Sequence, residues 1–333
     1  MFDKIVLLDP SIREDGKNSK NLGDLIIYDS VIQVLEKIFP EKAELIRIST
    51  HIPFSKKSID IIKKSKYVFV GGTNLLSGNI KNFDRMIPEK TRHLYRFPKN
   101  NGLILLGVGW NKYDAKTTFL TANYYHRILN KTYAHSLRDE YSLQRLSDIN
   151  IKNTLYTSCP TTWNIKPDLD FNYNQNKKSI LFTITDWLPD ETNDSKLINI
   201  ILEQGFEDIY FFPQGSNDLE YLFSLSIWKK NRERIKLLDH NYKEFKNLIN
   251  LNNFNYIGTR LHCGIKCLSH GIPSLILSID NRAHEMSKNS NLPVASRDDF
   301  PLINSWLQGS KVFDQKISLP LKDINFWTNQ FRG

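Results

Sequence analysis

Apolar and polar positions alternate along the chain in short blocks. Compact runs of β-branched, leucine and aromatic residues close on glycine, asparagine or aspartate, and longer segments with apolar residues at three- and four-residue spacing separate them. "KIVLLD" (4–9), "AELIRIS" (43–49), "KYVFVGG" (66–72), "GLILLGVG" (102–109) and "YAHSLRD" (133–139) read as strands. Between the first two lies "SKNLGDLIIYDSVIQVLEKIF", where Ile27, Val31, Val34, Leu35 and Ile38 give a helix one buried face. The pattern breaks at 163–178, "WNIKPDLDFNYNQNKK", a polar stretch that suits a linker. It resumes with "SILFTIT" (179–185), "EDIYFFPQ" (207–214), "RIKLLD" (234–239), "NFNYIGT" (253–259) and "PSLILSI" (273–279). Strands alternating with helices predict an α/β protein with parallel sheets in two halves, 1–165 and 176–310. The aromatic-rich tail, 311–333, is expected to pack back on the body.

With 333 residues and 40% apolar content, the chain can fill two cores. Its formal charge of +9 is spread over small groups such as "SKKS", "IKKSK" and "WKKNRER". Such a balance fits nucleic acid, an anionic substrate or a negatively charged membrane surface. The chain carries no nucleic-acid module and its aromatics sit in core-like strands, so no nucleic-acid partner is expected. Three cysteines imply no disulfide framework. No apolar run approaches the ~18–20 residues of a membrane span, and the start, "MFDKIVLLDP", with acidic Asp3, is too short in apolar residues for a leader. A cytoplasmic protein is expected, with room for peripheral contact at the inner membrane.

Four places can carry chemistry. Gly23 and Asp24 open the first long helix, where a glycine lets backbone approach a ligand and free amides favour an anion; an ordinary turn with an aspartate cap is the alternative. Gly71, Gly72, Thr73 and Asn74 follow a strand directly, as a polar turn or a plain tight one, and meet neither nucleotide-binding fingerprint. Arg138 and Asp139 stand at a strand–helix boundary, either as an anion grip or as a buried structural pair. Arg260 and His262 fall in "IGTRLHCGIKCLSHGIPSLILSID", at the first turn of a helix that begins near 260, where a permanent charge and a proton donor meet free amides. Cys263, Cys267 and His270 share that helix, but without a CxxC pair they suit its buried face better than a metal. Arg282, after the next strand, is a further anion contact or part of a solvated loop.

Taken together, "NLGD", "VGGTNLL", "GVGW", "SLRDEYSLQRL", "SCPTTW", "FPQGSNDLEYL" and "GTRLHCGIKCLSHGIPSLILSIDNR" resemble the polysaccharide pyruvyl transferase family in order and spacing, from about residue 20 to about 290. The resemblance implies two Rossmann-like domains facing a cleft, as in GT-B glycosyltransferases, with an amino-terminal acceptor side and a carboxy-terminal donor side. It implies transfer of pyruvate from phosphoenolpyruvate onto sugar hydroxyls of a surface polysaccharide or its lipid-linked precursor. On this pattern Arg138, Arg260 and His262 are catalytic and bind the donor together with Leu261 and Arg282. Asn21, Gly23 and Asp24, with Gly72, Thr73 and Asn74, fall on the acceptor side. Two departures stand out: "GGT" replaces a more usual triple glycine, and Asn281-Arg282 replaces a proline-lysine.

Ketal formation needs an acid for the enol carbon, a base for the sugar hydroxyl and cationic clamps for carboxylate and phosphate. The arginines supply the clamps and His262 the acid or a phosphate donor; Asp24 and His135 are the candidates for the base. No cofactor or metal is expected. Arg260→Lys is expected to remove activity while sparing the fold. The rival readings are a GT-B glycosyltransferase with a nucleotide-sugar donor and a non-catalytic binder of polyanions.

Overall fold

The computed structural model describes residues 4–13, 15–40, 43–82, 96–98, 102–113 and 116–332. Asp3 lies outside them. The chain divides into two compact units: residues 1–19, 27–163 and 319–333 form the first, and 20–26 with 164–318 the second.

The first unit carries, in chain order, β1 (Lys4–Asp9), β2 (Glu44–Ser49), β3 (Tyr67–Gly71), β4 (Asn74–Leu76), β5 (Ile104–Leu106), β6 (Gly109–Trp110), β7 (His135–Leu137) and β8 (Thr154–Tyr156). Its helices are α1 (Leu22–Ile38), whose residues up to Ile26 group with the second unit, α2 (Lys56–Lys63), α3 (Phe119–Ile128) and α4 (Glu140–Ser147). A parallel sheet runs β2-β1-β3-β5, and β4-β6 and β7-β8 form parallel pairs. Both sheet faces are covered, which is why these strands read as nearly continuous apolar runs. One face packs Ile5, Leu7, Phe69 and Ile104 on Ile27, Val31 and Leu35 of α1. The other packs Val6, Leu8, Val68 and Val70 with Ile59 and Ile62 of α2 and Tyr125 and Ile128 of α3.

Several strands are shorter than their hydrophobic pattern predicts, and in two the cause is evident. "GLILLGVG" splits into β5 and β6 because Gly107 adopts φ +64° and its Cα lies against Pro160, leaving no room for a side chain. "YAHSLRD" is strand only at His135–Leu137, because Asp139 accepts from Ser142 N at 2.8 Å and starts α4.

In the second unit follow β9 (Ser179–Thr183), α5 (Glu191–Glu203), β10 (Asp208–Phe211), α6 (Asp218–Ser224), α7 (Ser226–Asn231), β11 (Ile235–Leu237), α8 (Tyr242–Leu251), β12 (Phe254–Gly258), α9 (Leu261–Ser269), β13 (Ser274–Ser278), α10 (Asn281–Ser290), β14 (Val294–Ser296) and α11 (Phe300–Leu307). All six strands are parallel, in the order β11-β10-β9-β12-β13-β14. Ile180, Phe182, Phe211, Ile257, Leu275 and Leu277 pack with Leu197, Ile198 and Ile201 of α5 and Trp306 of α11 in its core. The last helix, α12 (Leu321–Asn329), belongs to the first unit, where Trp327 and Phe331 are buried against Phe69.

Each sheet has a point where strand order reverses. It lies between β1 and β3 in the first unit and between β9 and β12 in the second. In open parallel sheets such points leave a crevice beyond the carboxyl ends of the strands, where ligands bind. Among the described residues no helix is long and apolar enough to cross a membrane.

Candidate functional site

Arg260 lies two residues beyond β12, at the reversal point of the second sheet. Its backbone is fixed first: Arg260 N donates to Thr183 Oγ1 at 3.2 Å, Tyr256 Oη donates to Arg260 O at 3.0 Å, and Thr259 N donates to Thr183 O at 3.1 Å. Gly258 makes this possible, since a Cβ there would overlap Thr183. The guanidinium is then fixed by carboxylates. Nε donates to Asp218 Oδ2 at 2.9 Å, and Nη2 donates to both Asp218 Oδ1 and Asp186 Oδ1, the latter at 2.8 Å. Asp218 is fully buried, whereas 28% of the Asp186 side chain is exposed. Burial pushes the Asp218 carboxyl above its usual range; Arg260 and the amides of Gly215 and Asp186 pull it back. The cation is therefore oriented before any ligand arrives, as a pre-organised clamp requires.

His262 is the second residue of α9 and is 6% exposed. Leu261, one residue earlier, opens the helix, where backbone amides without intrahelical partners gather. The helix approaches the sheet closely because residue 264 is glycine; a Cβ there would stand 2.5 Å from Ile276 Cγ1 and 2.8 Å from Tyr256 Cε1. Cys263 and Cys267 are fully buried on the packed face, and burial pushes the Cys263 thiol well up. Among the described residues no cluster of His, Cys, Asp and Glu has the makings of a metal site.

Asn21, Gly23 and Asp24 join the same unit through the segment "PQGSND". Leu22 N donates to Gln214 O at 2.9 Å, Gln214 Nε2 donates to Asn21 Oδ1 at 3.3 Å, and Gly23 N donates to the same oxygen at 3.1 Å. Asp24 lies in the first turn of α1 and is 7% exposed. Arg282, at the start of α10, folds back on its own N-cap: Nε lies 2.9 Å and Nη2 2.5 Å from Asp280 Oδ2.

The remaining expected residues lie in the first unit. Gly72 and Thr73 follow β3 with φ of +63° and +61°. Asn74 opens β4, and its Oδ1 accepts from Arg138 Nη1. Arg138 is 1% exposed, with Nε 3.0 Å from Asp139 Oδ2; the buried structural pair is what the structure contains. Asp139 Oδ1 also caps α4. His135 is no candidate for a base. It is fully buried, Leu105 N donates to its Nδ1 at 3.3 Å and its Nε2 lies 3.0 Å from Asn130 O, and burial lowers its pKa to about 4.

The segments "FPQGSND" and "GVGW" carry no assigned role in the sequence pattern, yet they supply site residues. Asp218 and Asp186 hold Arg260, and Gly215 and Gly109 give the two arginines their room. The signal present in the sequence was an aspartate three residues after a glycine at a strand end, a spacing that also fits an ordinary helix start.

The sequence model of polysaccharide pyruvyl transferases matches residues 21–281. Among curated proteins no sequence matches the chain. Solved structures resemble it over nearly their whole length. The UDP-GlcNAc 2-epimerase of Methanocaldococcus jannaschii, in complex with UDP-GlcNAc and UDP, has a TM-score of 0.55 at 12% identity, with 100% of each chain covered. MnaA of S. aureus, bound to UDP, has a TM-score of 0.53 at 13% identity, over 93% of this chain and 92% of that one. The UDP-N-acetylglucosamine 2-epimerase of Rickettsia bellii has a TM-score of 0.52 at 10% identity, over 100% and 98%. At such identities the likeness concerns the fold, a GT-B-like pair of Rossmann-like units.

Proposed function

Because the chain belongs to the polysaccharide pyruvyl transferase family, we infer that it moves the pyruvyl group of phosphoenolpyruvate onto a pair of hydroxyls on one sugar of a bacterial surface polysaccharide or its lipid-linked precursor. The observation that carries this reading is Arg260, pre-oriented by Asp218 and Asp186 at the reversal point of the second sheet, with His262 in the first turn of α9. With Nε and Nη2 held by Asp218 and Asp186, Nη1 is the part of the guanidinium that would meet the carboxylate or phosphate of the donor. The open amides at Leu261 and the dipole of α9 favour the same negative charge. Arg282, at the start of α10 beyond the neighbouring strand, would add a second cation on that edge on leaving its pair with Asp280.

In the reaction a proton reaches the methylene carbon of the donor, which becomes a methyl group, and one sugar hydroxyl bonds to the adjacent carbon. Phosphate leaves, and the second hydroxyl closes the ketal. Of the two hydroxyl protons released, one balances the methyl group and the other leaves on phosphate. His262 delivers the first proton or hydrogen-bonds the departing phosphate, and Arg260 holds the anion during both steps. The chemistry calls for no metal, and the enzyme acts on the cytoplasmic side of the membrane.

The test is incubation with phosphoenolpyruvate and candidate oligosaccharide or lipid-linked acceptors. The product gains about 70 Da, the mass of pyruvate less water, and phosphate is released, in the presence of chelator as in its absence. The fold shared with proteins bound to UDP-GlcNAc favours one alternative, a nucleotide-sugar donor. A product heavier by a whole sugar, with release of a nucleotide, would establish that alternative instead.

A further inference from the structure

We propose that Asp186 and Trp187 form a subsite for the acceptor sugar, with the indole as the platform for the sugar's apolar face and the carboxylate as acceptor for its hydroxyls. This assignment rests on the pyruvyl-transfer reading and adds the place and the chemistry of acceptor recognition. The second unit's loop 184–190 runs from the end of β9 to the start of α5, at the sheet's reversal point.

The loop is held at every step. Asp186 N donates to Asp218 Oδ1 at 3.1 Å, Trp187 N to Thr185 Oγ1 at 3.1 Å, and Asp190 N to Tyr221 Oη at 2.9 Å. Leu188 O accepts from Arg297 Nη1 at 2.7 Å, and Arg297 is itself paired with the buried Asp194. Asp190 closes the loop by capping α5. On this fixed backbone Trp187 is 67% exposed and Leu188 43%. Of the other exposed aromatics, Phe119 and Phe326 lie on helices of the first unit and Phe223 on α6 of the second, whereas Trp187 follows directly the residue whose carboxylate touches Arg260.

An indole on a rigid loop offers a flat apolar face at little entropic cost on binding. A pyranose presents a matching patch of C–H groups on one face and hydroxyls around its rim. Asp186 is suited to those hydroxyls. Its Oδ1 accepts from Arg260, and a carboxylate has lone pairs for several donors. The pair would bring a sugar hydroxyl next to the cation that grips the donor.

The experiment compares wild type, Trp187→Ala and Trp187→Phe in steady-state kinetics, with the acceptor oligosaccharide and phosphoenolpyruvate varied in turn. Acrylamide quenching of tryptophan emission is recorded alongside, with and without the acceptor. Trp187→Ala should raise the acceptor KM at least tenfold and leave the donor KM within twofold, and Trp187→Phe should recover most of the loss. The acceptor should shield wild-type emission from acrylamide and give no such shielding in Trp187→Phe. An unchanged acceptor KM in Trp187→Ala, with pyruvyl transfer intact, overturns the subsite and leaves the reaction standing. If the enzyme proves to transfer a sugar, the reaction falls, and the shielding experiment with that reaction's acceptor still decides the subsite. Loss of binding to anionic phospholipid vesicles in Trp187→Ala, with the acceptor KM unchanged, would assign the loop to the membrane and overturn the proposal.

Discussion

Gly215 lies against the guanidinium of Arg260 so closely that a Cβ at position 215 would overlap Nη2. Gly109 stands in the same relation to Arg138 in the other unit, where a Cβ would overlap the guanidinium carbon. Both arginines at the strand ends thus lie close against a glycine, with a carboxylate on hand: Asp218 for Arg260 and Asp139 for Arg138. Neither glycine has a positive φ among the described residues, so close approach is the requirement here.

Gly215→Ala should therefore act through Arg260. Because Asp218 and Asp186 fix the guanidinium, it cannot swing aside freely, and the methyl group displaces it from its carboxylates. Activity should fall at least tenfold, with a stability loss of about 1–3 kcal/mol, typical of overpacking. Steady-state kinetics beside urea denaturation measure both; full activity at unchanged stability would mean that Arg260's placement is unimportant.

Arg260→Lys should lose activity and also stability. From sequence alone the arginine looks like a surface clamp whose replacement spares the fold. Its partner Asp218 is in fact fully buried, and an ammonium cannot reproduce the two-nitrogen grip on that carboxylate while also reaching Asp186. A loss on the order of 2 kcal/mol is expected, the scale of a hydrogen bond to a charged group. A melting temperature equal to wild type would show that the lysine pairs with Asp218 as well as arginine does.

The α/β alternation was legible because the central strands are buried on both faces and read as uninterrupted apolar runs, as in "KYVFVGG" and "SILFT". The breaks were less legible. Nothing local distinguishes Gly107, which ends β5, from Gly109 two residues later, because the difference lies in Pro160, far along the chain. Arg138 shows the same limit at the site. An arginine followed by an aspartate at a strand end reads equally as an anion grip or as a buried pair, and only the 1% exposure and the contact with Asn74 separate them. Asp218 was hidden for a related reason, since its hold on Arg260 spans 42 residues.

Thr73→Gly should stabilise the protein. Thr73 has φ +61°, a region that β-branched residues enter only under strain. Relief of that strain outweighs the added flexibility of the unfolded chain and should leave a gain of about 1 kcal/mol. In a unit of this size that is a rise in melting temperature of roughly 2–4 °C. An equal fall would indicate that the threonine side chain contributes more than its backbone costs.

His135 should make stability fall in mild acid. Its folded pKa is about 4 because burial disfavours the charged ring, against an ordinary value of 6.5. Between those values the unfolded chain takes up a proton that the folded protein refuses. The folded state is therefore fully favoured above about pH 6.5 and loses ground as pH drops toward 4, by about 3 kcal/mol in all. His135→Gln retains a donor for Asn130 O and an acceptor for Leu105 N but does not titrate. Urea denaturation from pH 7.5 to 4.5 should show a shallower decline for the variant, most clearly between pH 6.5 and 5, above the range in which ordinary carboxylates take up protons. Parallel curves for the two proteins would place the acid sensitivity in some group other than His135.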